Sequence, residues 1–167
     1  MAILTAEFQY DFDRLSMNWY YRNEVDQLLR RAQNDEPGTR TYSIFTEDNA
    51  WALHGTGLRY DVSGDLTRGT VEGMSEWYWD DIGLEYVRIY LLEGIDVSAL
   101  DVFNAAQTKT RADDRALLED ELSGKDIFRL SSFDDNARGF GGAMASPETQ
   151  LQPSNKNRHT NLAGAHK

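Results

Sequence analysis

The sequence predicts an α+β domain: an antiparallel β-meander with one long and two short helices packed on one face, followed by an extended C-terminal tail. Three observations predict it. From Arg40 to about Glu93, β-forming runs alternate with short clusters of Gly, Asp, Asn and Ser, as consecutive antiparallel strands do. On both sides of these runs apolar residues recur at three- and four-residue spacing, as helices that bury one stripe require. Beyond residue 142 both periodicities stop.

Residues 2–10 (AILTAEFQY) alternate well enough for a strand, with Ile3, Phe8 and Tyr10 as β-formers. Asp11 or Asp13 is placed to cap a helix running to about Asn34. Its Leu15, Trp19, Tyr20, Val25, Leu28 and Leu29 make the buried stripe. Pro37 disfavours helix at Glu36 and Gly38 permits the turn that ends it. The meander then reads TYSIF, WALHGTGLRY, LTRGTVEGMSEWYW and LEYVRIYLL, four or five strands separated by EDN, SGD and DDIG. In the last run Val87, Ile89 and Leu91 are the expected core face, with Tyr86, Arg88 and Tyr90 opposite. Ser98 caps a short helix, ALDVFNAA. A second helix, DDRALLEDELSG, starts at Asp113 or Asp114, turns Leu117, Leu118 and Leu122 inward and stops at Gly124. The chain thus divides into a domain at 1–124, a glycine- and aspartate-bearing segment at 125–142 and a polar tail at 143–167.

Composition narrows the function classes. A chain of 167 residues suits one domain, and its 4 Trp, 8 Tyr and 7 Phe supply more core than a disordered protein carries. The absence of cysteine excludes a disulfide framework, a thiolate zinc site and a cysteine nucleophile. The net charge is −11, and residues 1–142 hold 27 acidic against 14 basic residues. Such a body repels phosphates, so no direct nucleic-acid binding is expected. The tail has the opposite balance, with Lys156, Arg158 and Lys167 against Glu148 alone. No stretch approaches the roughly 18 apolar residues of a membrane helix, so no transmembrane segment is expected. MAILTAEFQYDFD lacks both a basic stretch and a long apolar core, so no cleaved signal peptide is expected either.

GTGLRYDVSGDLTRGTVEG (55–73) places Asp61, Ser63, Asp65 and Glu72 at the spacing of a calcium loop. Leu66 stands where such a loop wants glycine and the flanks read as strands, so a hairpin turned at Ser63-Gly64 is the favoured reading. The same stretch resembles the N-terminal domains of bacterial RTX-type (haemolysin-type calcium-binding) proteins. In that family the hairpin precedes a strand, a leucine-ended helix and a first glycine–aspartate repeat. LEYVRIYLLEGIDVSALDVF, RALLEDELSG and KDIFRLSSFDDNARGFGG keep this order, so the resemblance spans about residues 50–142. It implies Ca2+ shared by aspartates of stacked repeats, with Asp126 and Asp135 at ligand positions. Leu130 replaces an expected glycine and Met144 stands at the next aspartate position, so the resemblance implies one vestigial turn bridging domain and tail.

Trp77, Tyr78, Trp79, Asp80 and Asp81 are the most unusual local cluster. Alternation sends Trp77 and Trp79 to one face, which either fills the core against the long helix or forms a partner-binding patch rimmed by Asp80 and Asp81. No metalloprotease, nucleophile-elbow, phosphate-loop or dinucleotide motif is present, and the acid pairs Asp80-Asp81 and Asp113-Asp114 suit turns and caps. The expected function is therefore non-catalytic: an accessory or decoration subunit of a virion or bacterial surface complex. It would contact other subunits, or copies of itself, through Trp77, Trp79, Asp80, Asp81, Lys156 and Arg158, with the tail ordered on a neighbour. Two alternatives remain open, a secreted Ca2+-stabilised RTX-like protein and an acidic inhibitor that mimics nucleic acid.

Overall fold

The computed structural model of the protein describes residues 1–31 and 39–137. Its chain order is β1 (Ile3–Ala6), a 3₁₀ turn (Phe12–Arg14), α1 (Met17–Arg22), β2 (Asp26–Arg31), β3 (Thr39–Phe45), β4 (Asn49–Tyr60), β5 (Leu66–Asp80), β6 (Glu85–Ser98), α2 (Ala99–Gln107), α3 (Ala112–Glu121) and β7 (Ile127–Arg129). The strands form one sheet in the order β2-β3-β4-β5-β6-β1-β7. β2 to β6 are the antiparallel meander, β1 adds antiparallel to β6, and β7 adds parallel to β1. The expected α+β class, with helices on one face of a mostly antiparallel sheet, is what the chain forms. The turn at 34–38 and the tail at 143–167 lie outside the described residues.

Tyr42, Ile44, Trp51, Leu53, Met74, Tyr90 and Leu92 point from the sheet into one cluster with Met17 and Tyr20 of α1, Val102 and Ala106 of α2, and Leu118 of α3. Tyr20 stacks on Trp51 with ring centroids 5.5 Å apart, and Tyr21 bridges Trp51 to Phe103. The long helix expected at 11–34 is instead a 3₁₀ turn, a six-residue helix and a strand. Asp11 does cap, accepting the Asp13 N–H, but the turn it starts ends at Arg14. Asn23 then closes α1 by donating its side-chain amide to the Trp19 carbonyl at 2.7 Å. The following residues pair with the free edge of β3, beginning at Val25 N–H to Phe45 O, so edge hydrogen bonds displace helix. Val25, expected in the buried stripe, is exposed.

A second correction concerns β6. Tyr90 and Leu92, not Leu91, take the core face. Glu76 pairs with Tyr90 and Trp77 with Arg88, so Ile89 is an extra residue that switches the faces of β6. Its carbonyl accepts the N–H groups of Glu7 and Phe8 from the segment after β1. The two short helices lie where expected, with Leu118 and Leu122 buried and Leu117 half-buried. Ser98 occupies the N-cap position of α2 without a side-chain capping bond. Asp114 reaches out of its helix and accepts the Met17 N–H at 3.1 Å.

Candidate functional site

The helix-free face of the sheet carries Phe45, Ala52, His54, Ser75, Trp77, Trp79, Tyr86 and Arg88, placed together by the cross-strand register. Both tryptophans of the WYW triplet lie here, so they do not fill the core against a helix. Trp77 is half-buried. Its indole N–H donates to Ser75 Oγ at 2.9 Å, and the Arg88 guanidinium lies 5.6 Å from its ring centroid. Arg88 is held in turn by Glu7, whose carboxylate accepts from Nε at 3.0 Å. Behind Trp77, His54 Nε2 meets Ser75 Oγ at 3.1 Å and His54 Nδ1 meets Thr41 Oγ1 at 3.1 Å. Each hydroxyl both donates and accepts, so the line Thr41–His54–Ser75–Trp77 closes with either ring tautomer. It has the shape of a base beside a nucleophile, but Ser75 is fully buried and its oxygen already accepts from Trp77. As placed, the line orients Trp77.

Next to Trp77 the surface becomes apolar and open. Trp79 packs edge-on against Tyr86 at 5.2 Å, and Tyr86 leans on Phe45 at 6.0 Å. Trp79 and Tyr86 are 36% and 37% exposed, and the turn joining β5 to β6 adds Ile82 at 95% and Leu84 at 70%. Single exposed apolar residues are ordinary; four within eight positions at one hairpin end are not. Leu84 also has φ +55, a left-handed conformation that costs a non-glycine residue about 1–2 kcal/mol. The cost is carried with the side chain mostly exposed, an outlier of the kind that accumulates at functional surfaces.

Asp80 builds this turn rather than rimming the patch, because its oxygens accept the N–H groups of Ile82 and Gly83 at 3.0 and 3.1 Å. Asp81 is exposed beside it. Lys156 and Arg158 lie outside the described residues. Asp126 and Asp135 flank the edge strand β7, against the N-terminal segment. Asp126 Oδ1 accepts the Ala2 N–H at 2.8 Å. Asp135 accepts the Tyr10 N–H at 2.7 Å and the Ser131 N–H at 2.6 Å. Among the described residues no three acidic or histidine side chains converge as a metal site would need. Asp61 and Asp65 are turn chemistry: Asp61 Oδ1 accepts the N–H groups of Ser63 and Asp65, and Gly64 takes φ +89.

Ile82, Leu84 and Arg88 were not among the sequence-derived contact residues, since DDIG reads only as a turn. Glu76 was missed too, although an acid two residues after Met74 on the same face of a strand is itself a signal. The chain matches no family model, no characterised protein and no solved structure.

Proposed function

We propose that the protein is a non-catalytic accessory subunit that joins a larger assembly, such as a virion or a bacterial surface complex, through the β5–β6 end of its helix-free face. One observation carries this reading: Trp79, Ile82, Leu84 and Tyr86 are exposed side by side at one end of that face. An aromatic pair flanked by aliphatics, next to a fixed Arg88, is the composition of an interface centre, and the exposed Asp81 and Glu85 supply a polar rim. The strain at Leu84 points the same way, because Asn would adopt that backbone more cheaply yet would not present an apolar side chain.

Native purification of the full chain tests it. The expected mass exceeds that of the 19.0 kDa monomer, either as a homo-oligomer or in company with other subunits. Ile82→Asp is expected to return the chain to a monomer with unchanged circular dichroism. Leu84→Asn is expected to weaken association while stabilising the monomer by about 1 kcal/mol. A wild-type chain that is monomeric, or an Ile82→Asp chain that assembles like wild type, overturns the reading.

A further inference from the structure

On the helix side of the sheet, a cavity of about 410 Å³ opens between β5, β6, α1 and the segment that follows β1. Glu76 and Tyr90 line it from paired positions on β5 and β6, Tyr10 and Asp11 from the segment after β1, and Trp19 and Tyr20 from α1. The aromatic walls are braced from behind. Tyr10 meets Tyr90 edge-on at 4.9 Å, Trp19 meets Tyr20 at 5.0 Å, and Tyr20 stacks on Trp51. Tyr10, Tyr20 and Tyr90 are buried, whereas Trp19 is exposed over 42% of its surface and so marks the mouth. A volume of this size is in the range of small-molecule sites, which are mostly apolar with a few converging polar groups.

Glu76 is the anomaly in this cavity. It is a carboxyl group among aromatic rings, and no ion pair of the described residues includes it. The two guanidinium groups that line the cavity are turned to other acceptors: Arg14 pairs with Asp11 at 3.2 Å, and Arg111 donates to the Asp13 carbonyl at 3.1 Å. Desolvation raises the Glu76 pKa, and the Tyr20 hydroxyl, which donates to it, lowers it by less. The negative charge of Glu76 in turn helps to hold the Tyr10, Tyr20 and Tyr90 phenols protonated. A carboxylate removed from water with no cation beside it is expensive to ionise, and a hydrogen-bonded cation entering beside it offsets part of that cost.

We propose that this cavity is a binding site for a protonated primary amine with a flat apolar body, its ammonium group seated against Glu76. An ammonium carries three N–H donors and no acceptor, and the cavity offers two carboxylate oxygens with phenol oxygens around them. The body lies along Trp19 and the tyrosine walls, where aromatic surface gives the largest apolar gain. Anions are disfavoured by the charge of Glu76, and the arginines at the mouth are already engaged. The site is on the opposite side of the sheet from the exposed hairpin end, so it stands or falls apart from the assembly reading.

Isothermal titration calorimetry on the full chain tests the proposal, with 2-phenylethylamine hydrochloride as the probe. Phenylethyltrimethylammonium and 3-phenylpropionate serve as the cation without N–H donors and the anion of similar shape. Saturable one-site binding of the amine is expected, at least tenfold tighter than either comparison compound. Glu76→Gln is expected to weaken it at least tenfold, and Trp19→Ala, which alters an exposed wall, at least threefold. Thermal melting of each variant confirms that it is folded. Absence of saturable amine binding to the wild type overturns the proposal. So does a folded Glu76→Gln chain that binds like wild type, tighter binding of 3-phenylpropionate, or equal binding of the quaternary ammonium.

Discussion

Asp114 shows how one side chain couples fold and pH. It is fully buried, its Oδ2 accepts the Met17 N–H that begins α1, and its Oδ1 has no hydrogen-bond partner among the described residues. Burial pushes the carboxyl up to about 6; the Met17 N–H pulls it down, Asp113 raises it and Arg111 lowers it. The sign follows directly. A folded-state pKa above the unfolded value of 3.8 means that the native protein holds this proton more tightly. The contribution to stability is therefore largest below pH 4 and is lost as pH rises through about 6. Asp114→Asn keeps an oxygen for the Met17 N–H and carries no charge. Its advantage over wild type is expected to be near zero at pH 4 and to reach about 2–3 kcal/mol at pH 7.5. Urea unfolding of both proteins across that range measures it, and a pH-independent difference would show that the Asp114 carboxyl titrates alike in the folded and the unfolded chain. Glu76, by contrast, lines an open cavity, where a cation could enter beside it, whereas Asp114 is sealed within the fold.

At the level of elements, the β4–β5 hairpin depends on irregularities as much as on its strands. Its register shifts between His54 and Gly55 and twice more before the turn, and these shifts fold its far half so that Leu58 and Leu66 are fully buried. Gly69 makes one of them possible. It has φ +117, and a β-carbon there would stand 2.6 Å from the Leu58 backbone nitrogen. Gly69→Ala is expected to cost about 2–4 kcal/mol from strain and clash together, read as a fall in the urea midpoint. A change below about 0.5 kcal/mol would mean that the strand can straighten without loss. The hairpin itself was legible in the sequence because its cues are local: alternation in LTRGTVEG and an Asp-x-Ser-Gly-Asp turn. The helix expected over 11–34 was not, because LLRR is as good a strand as a helix once β3 offers an open edge. Nor was the change of face at Ile89, which depends on N–H donors some eighty residues away at Glu7 and Phe8. The candidate surfaces divide in the same way. Trp77 and Trp79 stand out in any reading, whereas the Glu76 cavity needs Tyr10, Tyr20 and Tyr90 from three separate segments.

At the scale of the whole sheet, the first and the last described segments are tied to each other. From Ala2 to Phe12 the N-terminal segment runs beside residues 126–136. The Asp126 carboxylate takes the Ala2 N–H, β7 pairs with β1, Asp135 takes the Tyr10 N–H, and Asn136 bonds the backbones of Tyr10 and Phe12. Asn136 also donates its side-chain amide to Asp11 and Asp13. The two aspartates singled out as residual calcium ligands thus act as clamps on backbone N–H groups, each worth about 1.5–3 kcal/mol as a charge-assisted bond. This separates two truncations. Removing residues 143–167 leaves every one of these bonds in place, so the melting temperature of the monomer is expected to stay within about 2 °C of the full chain. Removing residues 125–167 strips β7 and both clamps from β1, and is expected to lower it by well over 10 °C or abolish folding. The shorter truncation also tests the assembly reading at this scale. If the basic tail, with Lys156 and Arg158, lies on the acidic body of a neighbouring copy, its loss releases monomers, and added salt does the same to the full chain. If the tail-less chain keeps its assembled mass at every salt concentration, the exposed hairpin end with Ile82 and Leu84 must carry the association alone.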